Sequence, residues 1–236
     1  MSGRGRVPTL AALLLLVAVH PAPAQTLQAD PCGLEAELLH AAPTIRPEAL
    51  LAALSSWERL DAEGQLARPL LTVIDYGLSS SEKRMWVFDL ASRQLLFHEL
   101  VAHGKNSGGD LATAFSNEAG SFMTSLGAFV TGGTYDGVNG YSLRLRGTDP
   151  GMNDRAEERA IVVHGAPYVD TEVARKLGRL GRSHGCPALR PTVARPLIDE
   201  IKSGTLLYAY HPSLAAPEMT CAPQLAVVAL GATAAP

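Results

Sequence analysis

The sequence predicts a mainly β domain of the α+β class over residues 70–211, behind a helical N-terminal extension over residues 25–69. Two observations set that division. Up to Leu60 the leucines recur at helical spacing; from Leu70 the apolar residues fall into short β-branched or aromatic runs between polar turns. A third observation is a Gly- and Ser-rich stretch from Gly104 to Gly140, long enough inside a compact domain to suggest a working loop.

Arg4 and Arg6 precede an apolar run from Leu10 to Val19, and Ala22-Pro23-Ala24 offers a small-x-small cleavage site before Gln25. That three-part layout is a secretory signal peptide over residues 1–24. The run is about half of what a bilayer span needs, so no stable membrane insertion is expected after cleavage. The expected location is the periplasm, with extracellular release as the alternative. The chain carries 20 Lys+Arg against 23 Asp+Glu, and losing Arg4 and Arg6 takes its net charge from −3 to −5. A mildly acidic chain with no basic run is a poor partner for nucleic acid or an anionic membrane.

In the extension, Leu34, Leu38 and Leu39 fit one helix, and Pro47 can open a second carrying Leu50, Leu51, Leu54 and Trp57. The strand candidates are Leu71–Tyr76, Met85–Asp89, Leu95–Val101, Tyr141–Leu145, Ala160–Val163 and Thr205–Tyr210. Pro196 can begin a short helix closed by Gly204. Residues 212–236 form an Ala/Pro-rich tail, expected to be flexible.

Three cysteines in an exported chain leave one over. Cys32 and Cys221, near opposite ends of the mature chain, are expected to clasp as a disulfide. Cys186 would then remain a free thiol, in Gly181-Arg-Ser-His-Gly-Cys-Pro187. A thiol attacks only as thiolate, so a catalytic cysteine needs a neighbouring group to take its proton. His184 is close in sequence and His164 ends a buried strand; spacing alone leaves both open as the base. Gly165 and Gly185 would let the backbone turn sharply beside them. A structural cysteine and a turn-bound histidine are the plainer readings of the same residues.

The motif His164-Gly165 followed by Ser183-His184-Gly185-Cys186 resembles the signature of the L,D-transpeptidase catalytic domain, the YkuD-like group. His103-Gly-Lys-Asn-Ser-Gly108, Phe115-Ser-Asn117, Ser125-Leu-Gly127, Gly140-Tyr-Ser-Leu-Arg144, Asn153 and Arg159-Ala-Ile-Val-Val-His-Gly165 resemble its murein L,D-transpeptidase catalytic domain branch. The resemblance implies a β-sandwich or barrel with short flanking helices, acting on peptidoglycan stem peptides without a cofactor. It implies Cys186 as nucleophile, His164 as general base, Ser183 and His184 as orienting neighbours, and backbone N–H groups around Gly185 and Cys186 as the oxyanion hole. A carbapenem would be a covalent inhibitor. Stem peptides are rich in carboxylates, for which Arg144, Arg155 and Arg182 are candidate partners, with Tyr141 and Gly165 also expected at the substrate and Tyr135 a further cleft candidate.

Two departures stand out: the spacer from His164 to Ser183 is slightly long, and Pro187-Ala188 follows the cysteine. Alternatives within the same fold are a carboxypeptidase or endopeptidase, in which water resolves the thioester, and a non-catalytic wall-binding module. A zinc site from Cys186, His184, His164 and His103 or His98 is disfavoured by the lack of a compact ligand pair, so no metal is expected.

Overall fold

A computed structural model describes residues 31–214. The proposed signal peptide, most of the tail, and the Cys32–Cys221 pairing lie outside the described residues or side chains. No described helix is long and apolar enough to cross a membrane.

Eight strands form one mixed sheet in the order β3-β2-β1-β8-β4-β5-β6-β7. They are β1 (Leu70–Asp75), β2 (Met85–Asp89), β3 (Gln94–Glu99), β4 (Gly127–Gly137), β5 (Gly140–Gly147), β6 (Val162–Gly165), β7 (Ala188–Leu189) and β8 (Leu206–Tyr210). The pairs β1–β8 and β6–β7 are parallel and the rest antiparallel. The chain just past β3 returns to the far edge: Ala102 bridges Ala188 antiparallel and Gly104 bridges Ser183 parallel. The sheet is thereby nearly closed into a barrel, and its seam runs through the segment that leads to Cys186.

Period-two alternation sorts the strand residues between two cores. Ile74, Met85, Val87, Phe129, Leu143, Leu145, Leu207 and Ala209 pack in one, with Ala194, Leu197, Ile198 and Ile201 of α4 (Pro191–Ile201). Leu71, Val73, Trp86, Phe88, Ala128, Val130, Leu206 and Tyr208 face the other way. There they meet α1 (Pro31–Ala41) and α2 (Pro47–Ala62), which contribute Leu38, Leu50, Ala53 and Leu60. Covering on both faces explains why β1 and β8 read as continuous buried runs.

The last helix begins at Pro191, not Pro196. Pro191 occupies the first helical turn, where its missing N–H costs nothing, and Pro196 lies inside the helix. A helix unmarked in the sequence reading, α3 (Thr171–Leu177), fills part of the long spacer before Ser183. Asp170 caps it, accepting from the amides of Glu172 (2.7 Å) and Val173 (3.3 Å), and Gly178 at φ +68° ends it.

Candidate active site

The seam of the barrel presents residues 183–186 as a tight turn. Ser183 N–H donates to the His103 carbonyl (2.9 Å) and Lys105 N–H to the Ser183 carbonyl (2.8 Å), fixing the entrance of the turn to the strand-like segment after β3. The Ser183 hydroxyl donates to the Cys186 carbonyl (2.6 Å) and accepts from Gly185 N–H (3.1 Å). Thr124 ties the far wall in: its hydroxyl donates to the Gly185 carbonyl (3.2 Å) and accepts from Gly104 N–H (3.0 Å).

Gly185 stands at φ +121°, and a Cβ there would lie 2.7 Å from the Met123 carbonyl oxygen. Gly185→Ala is therefore expected to lower the melting temperature and to slow alkylation of Cys186. The backbone strain alone is about 1–3 kcal/mol. Thermal melts combined with iodoacetamide labelling check this, and a wild-type melt in the variant would contradict it.

Behind the turn sits a buried cation. Arg84 is fully buried and donates to the carbonyls of Val101 (3.1 and 3.0 Å) and Leu78 (2.8 Å), and to Nδ1 of His103 (2.8 Å). Burial pulls its guanidinium down to about 10, which leaves it charged at neutrality. Burial and then the Arg84 charge bring His103 down to about 4, so the imidazole is neutral. His103 is a structural brace: its carbonyl holds Ser183 while its ring receives the arginine.

Cys186 and His164 line one cavity of about 220 Å³, with Asn139, Tyr168, Arg182, Ser183 and His184. His164 lies beside Ala188 across β6 and β7, two residues past the cysteine. A carbonyl can only accept, so the 3.0 Å contact from His164 Nδ1 to the Gly165 oxygen puts the ring hydrogen on Nδ1. Nε2 is left with a lone pair. Burial holds the imidazole below the ordinary histidine value, hence neutral and basic at pH 7. His184 differs: it is exposed, its Nε2 faces the Lys105 ammonium at 3.4 Å, and its ring packs 4.6 Å from Phe122.

Cys186 is 8% exposed and packs in the main core, its Sγ donating weakly to the Ala160 carbonyl (3.8 Å). Burial pushes the thiol up; the Val162 amide, Arg159 and the cysteine's own amide pull the other way without prevailing. The resting pair is thus thiol and neutral imidazole.

Of the residues expected at the substrate, Arg182 alone lines the cavity, its guanidinium anchored on the carbonyls of Gly108 (2.6 Å) and Lys105 (3.3 Å). The others stand elsewhere, each held by a partner. Arg144 lies over the Tyr135 ring (4.3 Å), and Arg155 is ion-paired with Glu118 and Glu158. The Tyr141 hydroxyl donates to Asp199 (2.6 Å) under Arg195, and Gly165 packs against Ala194 and Pro191 of α4. Gly185 N–H, expected in the oxyanion hole, is taken by the Ser183 hydroxyl, which leaves the Cys186 amide as the candidate donor from that turn.

Tyr168 and Asn139 are lining residues that the sequence did not mark. Burial, then the nearby Cys186, pushes the Tyr168 phenol up to about 12, so it stays a neutral donor. Among the described residues no three His, Cys, Asp or Glu side chains gather as metal ligands.

The sequence model of the L,D-transpeptidase catalytic domain matches residues 41–210, well over half of the chain. The chain belongs to the L,D-transpeptidase catalytic domain family. Among solved structures it is similar to the L,D-transpeptidase LdtMt1 in complex with imipenem (18% identity, 61% of this chain and 60% of that one, TM-score 0.37). It is also similar to an L,D-transpeptidase from Mycobacterium smegmatis (15%, 61% and 68%, 0.35). A third is the helical cell shape determining protein Pgp2 from Campylobacter jejuni (12%, 64% and 47%, 0.39). The chain thus spans 60% of the length of the first of these and less than half of the third. These scores are low, and membership of the L,D-transpeptidase family rests on the sequence match. No curated protein matches the chain.

Proposed function

We propose that this chain is a cysteine acyltransferase of the cell wall that joins peptidoglycan stem peptides through a thioester on Cys186. The observation that carries the reading is the shared cavity of Cys186 and His164, with His164 Nδ1 tied to the Gly165 carbonyl and Nε2 left as a base.

The thiol proton passes to His164 Nε2 as Sγ attacks the carbonyl carbon of the donor peptide. The carbonyl oxygen becomes an oxyanion near the Cys186 amide. When the scissile C–N bond breaks, the leaving amine takes the proton from His164 and a thioester remains. An acceptor amine then attacks the thioester, loses a proton to His164, and forms the new peptide bond as the thiol is restored. Water in place of the amine gives hydrolysis by the same steps. Ser183 acts here by shaping the turn, and Arg182 by meeting a carboxylate in a lining that holds no acidic residue.

Export is part of the reading. After cleavage before Gln25 the mature protein would work in the periplasm, where its substrate is.

The test is intact mass of the mature protein incubated with purified muropeptides and, separately, with imipenem, whose strained lactam carbonyl can acylate a nucleophile in this cavity. The expected result is a covalent adduct on wild type that is absent from Cys186→Ala, with joined muropeptides in the product mixture. Trimmed products alone would make the protein a hydrolase of the same mechanism. No adduct and no product change would favour a wall-binding module.

A further inference from the structure

Arg159 is a partly buried cation that, among the described residues, no carboxylate touches. Its Nη1 donates to the Ser116 carbonyl (2.6 Å) and to the Ser125 hydroxyl, and its Nη2 to the Ser121 hydroxyl (3.2 Å) and the Met123 carbonyl (2.7 Å). All four acceptors are neutral. Arg155, one helical turn earlier in sequence, contrasts with it: Glu118 and Glu158 bind that guanidinium in full. A guanidinium removed from water needs either an anion or a full set of acceptors, and Arg159 has only the acceptors.

Its position is the second observation. Arg159 Nη2 lies 3.4 Å from the point where a Cβ on Gly185 would stand, so the guanidinium packs against the backbone just before the nucleophile. The next residue, Ala160, sits at φ +52°, a left-handed conformation that a non-glycine residue adopts at a cost. In that conformation its carbonyl receives the Cys186 thiol. Residues 159 and 160 therefore flank the cysteine on one side, while His164 shares the cavity with it on the other.

We propose that Arg159 is the counter-charge of the Cys186 thiolate: a positioning residue that stays out of contact with substrate and favours the anion formed when the proton moves to His164. The inference rests on Cys186 being the nucleophile, as proposed above. Other groups facing the sulfur cannot take this role. Tyr76, at the end of β1, and Tyr168 are neutral at pH 7, their phenols pushed up by burial. His164 is neutral until it receives the proton, and His184 and Arg182 stand on the cavity side. Around Arg159 itself, Arg155 and Glu118 act in opposite senses.

The experiment follows the rate of Cys186 alkylation by iodoacetamide against pH, assigned by peptide mass so that Cys32 and Cys221 are counted separately. Arg159→Gln keeps an amide donor for the loop carbonyls and removes the charge. Its labelling midpoint is expected to rise by about one unit or more, so that labelling at pH 7 falls about tenfold. Arg159→Lys restores the charge and is expected to return the midpoint toward wild type. The double variant Ser121→Ala, Ser125→Ala loosens the same loop, leaves the charge, and should leave the midpoint unmoved.

A wild-type midpoint in Arg159→Gln would overturn the proposal, as would a midpoint raised equally by the double serine variant. Should Arg159→Gln fail to fold, Arg159→Lys against the double serine variant carries the same decision: a raised midpoint in the lysine variant overturns the proposal, and a wild-type midpoint supports it. Labelling needs no substrate, so these outcomes are separate from the muropeptide test. Loss of the nucleophile reading would show there, with Cys186 still labelled here.

Discussion

His164→Ala is expected to slow acylation of Cys186 by imipenem or a muropeptide by about 10²- to 10⁴-fold, the usual contribution of a positioned general base. The resting pair makes the loss large. Burial keeps the thiol protonated at pH 7, so without a base little thiolate forms. In muropeptide turnover the double variant Cys186→Ala, His164→Ala should lose little more than either single variant, because the two side chains act on one proton. His184→Ala should cost much less, since its ring nitrogen faces an ammonium at the rim.

The pH profile of acylation carries the same signature. His164 is held below the ordinary histidine value of 6.5, so the rate should hold down to that pH and fall only beneath it, as the imidazole gains a proton and ceases to be a base. Stopped-flow or mass-resolved acylation rates between pH 5 and pH 9 give both results. Near-normal acylation by His164→Ala together with collapse in His184→Ala would move the base to His184.

Much of this site is legible in the chain and some of it is not, for physical reasons. The strand that runs into His164 is visible because Val162 and Val163 are apolar on both faces, although it starts at Val162 and not at Ala160, which is an exposed turn residue at φ +52°. The choice between His164 and His184 is invisible, because it turns on what each ring nitrogen touches: a backbone carbonyl in one case and Lys105 in the other. β4 is hidden inside the stretch that reads as a loop, because Gly127, Gly132, Gly133 and Gly137 interrupt it. At Gly132 the cause is close approach, for a Cβ there would meet the Arg144 Cβ at 3.3 Å, next to a shift of register between Thr131 and Thr134. Arg144, Arg155 and Arg182 are equal as letters. Tertiary partners separate them: a tyrosine ring, two glutamates, and a cavity wall. The α3 caps, Asp170 and Gly178, were readable signals.

The barrel seam accounts for the rest. Ala102 and Gly104 reach Ala188 and Ser183 across some eighty residues of sequence, and no local pattern announces that closure. The same holds for Arg84, which no local pattern between Lys83 and Met85 marks and which is among the most deeply buried side chains. His103-Gly104, part of the motif that resembles the family, forms the floor of the nucleophile's loop, where the His103 carbonyl accepts from Ser183 N–H.

That floor has its own pH dependence, with the second large effect. His103 titrates near 4 in the folded protein against 6.5 when free, because burial and the adjacent Arg84 both oppose a second positive charge. A depressed histidine stabilises the folded state above its unfolded value, and that stability drains away as pH falls toward the folded value. The window is therefore pH 6.5 down to 4. A difference of that size corresponds to about 3 kcal/mol.

His103→Asn, whose side-chain oxygen can accept from Arg84 without titrating, should lose less stability than wild type across this window by about that amount. Urea unfolding at pH 7 and pH 4.5 measures it. The comparison between variants is what isolates His103, because His98, His164 and His211 are also held low and contribute in the same sense to both proteins. Asp75 and Glu35, raised by burial, act in the opposite sense in both. Equal losses in wild type and variant would show that the Arg84–His103 contact does not govern the acid limb. A flatter limb in the variant would tie acid loss to the brace that holds Ser183, through the carbonyl of the residue being protonated.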